Sequence, residues 1–241
     1  MDSDDRTIGT LLSRRQVLGL LGVSGLGLLT GRPGWTQAPS GSAGCVVRPA
    51  QTEGPYFVDE RLHRSDLRTD PTDGTVKPGT ALELTLVISR LANAACAPLA
   101  GAQVDLWQCD HLGVYSDVRD PSFDTRGKRY LRGYQLTDAQ GRARFTTVYP
   151  GWYAGRTVHI HFKVRSPVDQ RPGYEFTSQF YFDDALTDRV FRQAPYADRP
   201  ARSTRNEGDG IFRRGGSQLM LALEPKGPAY AGTFQVALTG T

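Results

Sequence analysis

The sequence predicts an all-β chain, with an antiparallel β-sandwich core, long loops and one short helix. Three observations carry that expectation. Short stretches alternate apolar and polar residues with the period of a strand, turn residues separate them, and a helical apolar period shows only from Asp184 to Gln193. Half-buried strands need a second sheet to cover their apolar face, which favours a sandwich. With 241 residues, 39% apolar and 22% charged, one main domain around one sizeable core is expected. Basic and acidic residues, 29 against 25, are interspersed without a Lys/Arg run, so nothing points to nucleic acid.

Residues 1–44 differ from the rest. A polar start leads into Ser13-Arg14-Arg15-Gln16 and an apolar run from Val17 to Leu29, the pattern of a twin-arginine (Tat) export signal. The run is too short to span a bilayer and is interrupted by glycines between Gly19 and Gly27. Arg32 to Gly44 is a Gly/Pro/Ser/Ala-rich linker. The expectation is a domain over 45–241, exported to the periplasm or the extracellular space, touching membrane only through export or a lipid anchor. An oxidising compartment lets two of Cys45, Cys96 and Cys109 pair, and all three pairings stay open.

From Cys45 the chain passes a Gly-Pro turn in Gln51-Thr-Glu-Gly-Pro-Tyr-Phe57, then Asp59 to Pro78, a polar surface excursion with little structure of its own. Ala81 to Ser89 reads as a strand with Leu82, Leu84, Leu86 and Ile88 on one face, and Val104 to Cys109 as its hairpin partner. Tyr115 follows in a turn. Tyr130–Leu136 and Arg142–Val148 read as strands around the Asp138–Gly141 turn, and Glu175–Phe182 as a further strand. After the helix, Gln218–Glu224 and Gly232–Leu238 close the chain as strands.

Tyr149 to Val164 organises the chemistry. Val158, Ile160, Phe162 and Val164 alternate with His159, His161 and Lys163, so both imidazoles share one strand face roughly 6–7 Å apart. Zinc takes Cys, His and carboxylate, and ferrous sites pair two His with a carboxylate; no carboxylate lies between Tyr153 and His161. A phenol at Tyr153 suits a hard trivalent cation, and charge balance asks for a second tyrosine, for which Tyr115 is the candidate. Tyr149 is the rival of Tyr153.

These residues resemble the intradiol ring-cleavage dioxygenases, the family of protocatechuate 3,4-dioxygenase and catechol 1,2-dioxygenase. The resemblance runs through Thr52-Glu-Gly-Pro-Tyr56, Leu99-Ala-Gly-Ala-Gln-Val-Asp-Leu-Trp107, Gly113-Val-Tyr115, Arg132-Gly133, Thr137-Asp138 with Gly141, Pro150-Gly151 with Tyr153, and Arg156 leading into His159-Ile-His161. It implies a β-sandwich holding Fe(3+) through Tyr115, Tyr153, His159 and His161. Tyr153 would be the phenolate that leaves the metal when a catechol binds, freeing a base, and Tyr115 the one that stays. Arg156 matches the arginine that stabilises negative charge on the substrate, and Gln179 a glutamine behind the site. The implied reaction joins a catechol-type substrate and O2 to give a muconate-type dicarboxylic acid. His63 and His111 are not expected to be ligands.

Three departures bear on substrate, the expected export being one. The stretch from Tyr153 to His159 is short and the helical dimerisation region of catechol 1,2-dioxygenases is missing, which implies an open pocket for simple or substituted catechols. A homo-oligomer and a polysaccharide contact are left open. The competing reading is a non-catalytic β-sandwich module that binds polysaccharide through Trp152, Trp107 and Tyr149; a third is a copper or zinc site on the same His pair.

Overall fold

Alternation of apolar residues becomes two sheets in the computed structural model, which describes residues 45–92, 95–166 and 173–239. Among them, strands β1 (Ala81–Ala92), β2 (Ala95–Pro98), β7 (Arg142–Val148), β10 (Glu224–Lys226) and β11 (Ala229–Thr239) form a five-stranded sheet. β3 (Gln103–Trp107), β6 (Arg132–Leu136), β8 (His159–Arg165) and β9 (Glu175–Tyr181) form a four-stranded one in the order β6-β3-β8-β9. A small ribbon pairs β4 (Arg119–Asp120) with β5 (Phe123–Asp124). The inner faces of both large sheets feed one apolar cluster: Leu82, Leu84, Leu86 and Ile88 of β1 lie in it with Ile160, Phe162 and Val164 of β8. Phe234 of β11 meets Phe162 and Phe180 at ring distances of 5.7 and 5.3 Å. Each such fully buried ring contributes roughly 1.5–3 kcal/mol of transfer free energy.

Several expectations change here. β1 and Val104–Cys109 do not form a hairpin: β1 hydrogen-bonds to β2, β7 and β11, whereas β3 pairs with β6 and β8 in the other sheet. The pairing of β1 with β11 is parallel, so the five-stranded sheet is mixed rather than antiparallel. Gln218–Glu224 is not a strand. A 3-10 turn occupies Gly216–Leu219, entered through Gly215 at φ 106°, and among the described residues only Met220 makes a bridge, to Tyr181, before β10 begins. The helix α1 spans Asp184–Val190, capped by the Asp183 side chain on the Leu186 amide, and buries Leu186 and Val190.

The excursion from Asp59 to Pro78 is more than surface chain. Leu67 is fully buried, Arg64 donates its amide to the Tyr134 carbonyl of β6, and Leu67 donates to the Thr146 carbonyl of β7. It straps one edge of each sheet together. Cys45 and Cys96 form the disulfide, tying the start of the described chain to β2, and Cys109 stays a buried thiol. Closing that 51-residue separation contributes about 4 kcal/mol through loop entropy. Residues 1–44, with the export-signal expectation, lie outside the described residues, and among those described no helix is long and apolar enough to cross a membrane.

Candidate metal centre

β8 is buried on both faces because the segment from Gln51 to Val58 covers its outer side. His161 lies opposite Trp107 on β3 and opposite Gln179 on β9, and its ring stacks on the indole at 4.9 Å and 7°. Gly54, at φ 73°, lies close against the same imidazole, where an added Cβ would stand 3.4 Å from His161 Cε1. His159 donates Nδ1–H to the Thr157 carbonyl at 2.6 Å. That bond fixes the tautomer and leaves the Nε2 lone pair facing the site.

Tyr115 and Tyr153 reach the same place from two loops that fit only through glycine. A Cβ on Gly113, at φ 83°, would run into the Trp152 carbonyl, and one on Gly151 into the carbonyls of Asp110 and His111. The Asp110 carboxylate accepts the Leu112 and Val114 amides at 2.9 and 3.0 Å and takes Lys77 Nζ at 2.8 Å. The motifs around Gly113 and Gly151 are thus one packed unit.

His159 Nε2 stands 3.1 Å from His161 Nε2, 3.2 Å from Tyr153 Oη and 3.4 Å from Tyr115 Oη. Atoms bound to one metal ion at about 2 Å stand roughly 3 Å from each other, so this spacing fits a shared cation. Burial pushes both imidazoles well below their ordinary range, with Arg156 adding to the effect, so they are neutral bases at physiological pH. Burial raises the Tyr115 phenol, helped by Tyr153, and lifts Tyr153 to about 12 against the pull of Arg156. A buried cation inverts this by stabilising the phenolates it touches. Among the described residues no group of three or more His, Cys, Asp or Glu gathers in a metal-binding arrangement, so a carboxylate-based zinc or copper centre finds no support. Two neutral nitrogens with two phenols fit a trivalent, oxygen-seeking ion.

Arg156 lies beside this cluster, its guanidinium gripped twice. Nε donates to Asp209 Oδ2 at 2.9 Å and Nη2 to Gln179 Oε1 at 2.5 Å. Gln179 in turn donates to the Thr52 carbonyl at 3.1 Å, and Tyr181 donates to Gln51 Oε1 at 2.5 Å. The six residues expected at the site, Tyr115, Tyr153, His159, His161, Arg156 and Gln179, therefore come together. Tyr149 does not: its hydroxyl bonds to Thr187, away from the histidines.

Asp209 and Tyr56 were not singled out from the sequence. Asp209 sits in an unremarkable polar Gly-Asp-Gly loop, and only its complete burial marks it. Tyr56 stacks on Tyr115 at 4.5 Å and donates to Asp120 at 2.7 Å; its place in the Thr-Glu-Gly-Pro-Tyr stretch was the available signal. The polysaccharide platform is overturned. Trp107 and Tyr149 are fully buried, and half-buried Trp152 has the Arg199 guanidinium over its ring at 4.6 Å. His63 stacks on Tyr134, remote in its contacts from the cluster, and His111 packs edge-on against Tyr196.

A family model described as Dioxygenase (Dioxygenase_C) matches residues 52–199. Chlorocatechol 1,2-dioxygenase of Pseudomonas putida is 30% identical over 159 residues, covering 54% of this chain and 52% of its own. An intradiol ring-cleavage dioxygenase from Tetranychus urticae superposes with a TM-score of 0.68 at 29% identity, covering 81% of this chain and 95% of that one. The dioxygenase domain of a dioxygenase carbohydrate-binding protein fusion from Streptomyces sp. SirexAA-E gives 0.57 at 30% identity, with 81% and 99% covered. The chain spans about half the length of the curated relatives it matches.

Proposed function

Because this chain belongs to the intradiol dioxygenase family, we propose that it cleaves catechol-type rings between the two hydroxyl-bearing carbons with O2, yielding muconate-type dicarboxylic acids. The observation that carries the reading is the convergence of Tyr115 Oη, Tyr153 Oη and His161 Nε2 on His159 Nε2 within 3.4 Å. Tyr115, Tyr153, His159 and His161 would hold a ferric ion, which when bound supplies the electron-accepting centre that lets a catecholate react with dioxygen.

The protein's own groups do the rest. His159 presents its Nε2 lone pair because Thr157 holds the Nδ1 proton. Tyr153, on the half-buried side, would be the group that accepts a catechol proton, at Oη. The Arg156 guanidinium, close enough to depress the Tyr153 phenol, stabilises negative charge on the substrate oxygens. Trp107, Gly54 and Tyr56 keep water from the far side of the donor set. Ala154 and Gly155 are exposed, and a Cβ at Gly155 would meet nothing within 4 Å, which supports an open wall and substituted catechols as substrates. The Cys45–Cys96 bridge and the twin-arginine segment support export, and the two large sheets that share one core support the sandwich architecture of the family.

Ring-fission product analysis tests the function. Ferric-loaded protein given catechol and labelled dioxygen should take up equimolar O2 and place both labelled atoms in a cis,cis-muconate-type acid. A semialdehyde product, or no O2 uptake across a panel of substituted catechols, would defeat the proposal.

A further inference from the structure

We propose that Asp209 is a positioning residue for this reaction: one buried carboxylate fixes the Arg156 guanidinium and holds Thr157, the residue whose carbonyl orients His159. The inference rests on the function proposed above. Asp209 is fully buried and accepts four donors. Its Oδ1 takes the amides of Ile211 at 2.7 Å and Phe212 at 3.1 Å, which closes its own loop. Its Oδ2 takes Arg156 Nε and the Thr157 amide, both at 2.9 Å, from across the site. Loop closure needs only the first pair. The second pair reaches the chemistry.

Thr157 is held on both sides of its Cα. Its N–H donates to Asp209, its carbonyl accepts His159 Nδ1–H at 2.6 Å, and its hydroxyl donates to Asn206 Oδ1 at 2.7 Å. A displacement of Thr157 would carry its carbonyl, and with it the imidazole, away from the cluster. Arg156 is held in the same way, by Asp209 at Nε and Gln179 at Nη2, so the fork cannot swing without losing a charge-assisted bond. Because the carboxylate is shared, the arginine and the histidine orientations are set together. An ionised carboxylate at zero exposure is itself costly unless paired, which ties Asp209 to Arg156 as firmly as the reverse.

Asp209→Asn separates the two roles. The amide oxygen can still serve Ile211 and Phe212, but its NH2 would face two donors, Arg156 Nε–H and the Thr157 amide. With catechol as substrate and turnover normalised to bound iron, kcat should fall about 10–100-fold. KM should move by less than about threefold, because the grip acts on charge that develops during reaction. A per-iron kcat within about twofold of wild type, accompanied only by a lower Tm, would reduce Asp209 to a loop closer and overturn the proposal. So would a loss confined to KM.

Should D209N fail to fold, Arg156→Lys decides: it keeps the charge and spares the three backbone donors of Asp209, yet cannot hold Asp209 and Gln179 in a fork. Its kcat should fall comparably, and an unchanged kcat would overturn the role. A readout without iron is available in ¹⁵N NMR of the iron-free protein. The Nε–H resonance that R156K removes, and that is thereby assigned to Arg156, should exchange slowly in wild type and rapidly in D209N; rapid exchange in wild type would overturn the geometry. Wild-type protein that loads iron but turns over no catechol defeats the proposed function itself, whereas active wild type with an unaffected D209N kcat defeats only this inference.

Discussion

The two tyrosines reach the same point but live in different surroundings. Tyr115 is fully buried, stacked under Tyr56, with its carbonyl accepting Thr125 Oγ1 at 2.7 Å. The next residue, Ser116, donates to the Tyr130 carbonyl at 2.6 Å and accepts from Arg132 Nε at 2.8 Å. Tyr153 is half-buried and is followed by exposed Ala154 and Gly155, and its own carbonyl takes a long 3.4 Å bond from the Arg156 amide. One phenol is built in and the other stands at the edge of a thin wall. The roles proposed for them suit that difference: the phenol proposed to move lies where the chain holds least, and the one proposed to stay where it holds most.

Removing each hydroxyl breaks or sharpens that contrast most. Tyr115→Phe should abolish stable iron binding and cut turnover by at least about 10³-fold. Tyr153→Phe should retain part of the iron while losing about 10²–10⁴-fold in kcat, the value of a proton acceptor at the reacting oxygen. Iron content of the two purified variants, measured beside kcat, checks the order; equal iron loss in both would erase the distinction.

The glycines of the two loops give a smaller contrast. Gly113 and Gly155 share a positive φ, 83° and 84° in the left-handed region, but a Cβ on Gly113 would collide with the Trp152 carbonyl while one on Gly155 would meet open space. Gly113→Ala should therefore cost the backbone strain plus a displaced loop, about 3 kcal/mol or more, and Gly155→Ala the strain alone, about 1 kcal/mol. Denaturant unfolding of both variants would read the difference.

The smallest effect lies on the Tyr115 side. Glu60 is pushed up to about 7 by burial and by the neighbouring Asp117, despite Arg129 at 2.8 Å. Its folded value exceeds its unfolded one, so the native state holds the extra proton and stability is lost as pH rises from about 4.5 through about 7. Tm should decline across that window, and Glu60→Gln should flatten the slope. An unaltered slope in the variant would remove Glu60 as its source.

Faces were legible in the sequence and neighbours were not. The alternation in Ala81–Ser89 and in Val158–Val164 identified the residues that share the core, since burial of one face is a local property. It could not say that β3 leaves β1 for the other sheet, or that β11 joins β1 in parallel, because backbone pairing is chosen by the whole chain. Gln218–Glu224 had the right apolar spacing, with Leu219 and Leu221 buried, but Gly215 at φ 106° curls the backbone into a 3-10 turn instead. The four residues of the candidate centre were readable because two imidazoles on one strand face, with phenols close by in the chain, are a rare combination. Asp209 was not, since an aspartate flanked by glycines in a polar loop looks solvated until the fold buries it under Thr157.

The visible absorption spectrum of ferric-loaded wild-type protein, recorded before and after anaerobic addition of catechol, tests the four-donor centre most directly. A tyrosinate-to-iron band that moves to longer wavelength with catechol is expected, lost in Tyr115→Phe and retained in altered form in Tyr153→Phe. A protein that stays colourless after ferric loading would contradict it.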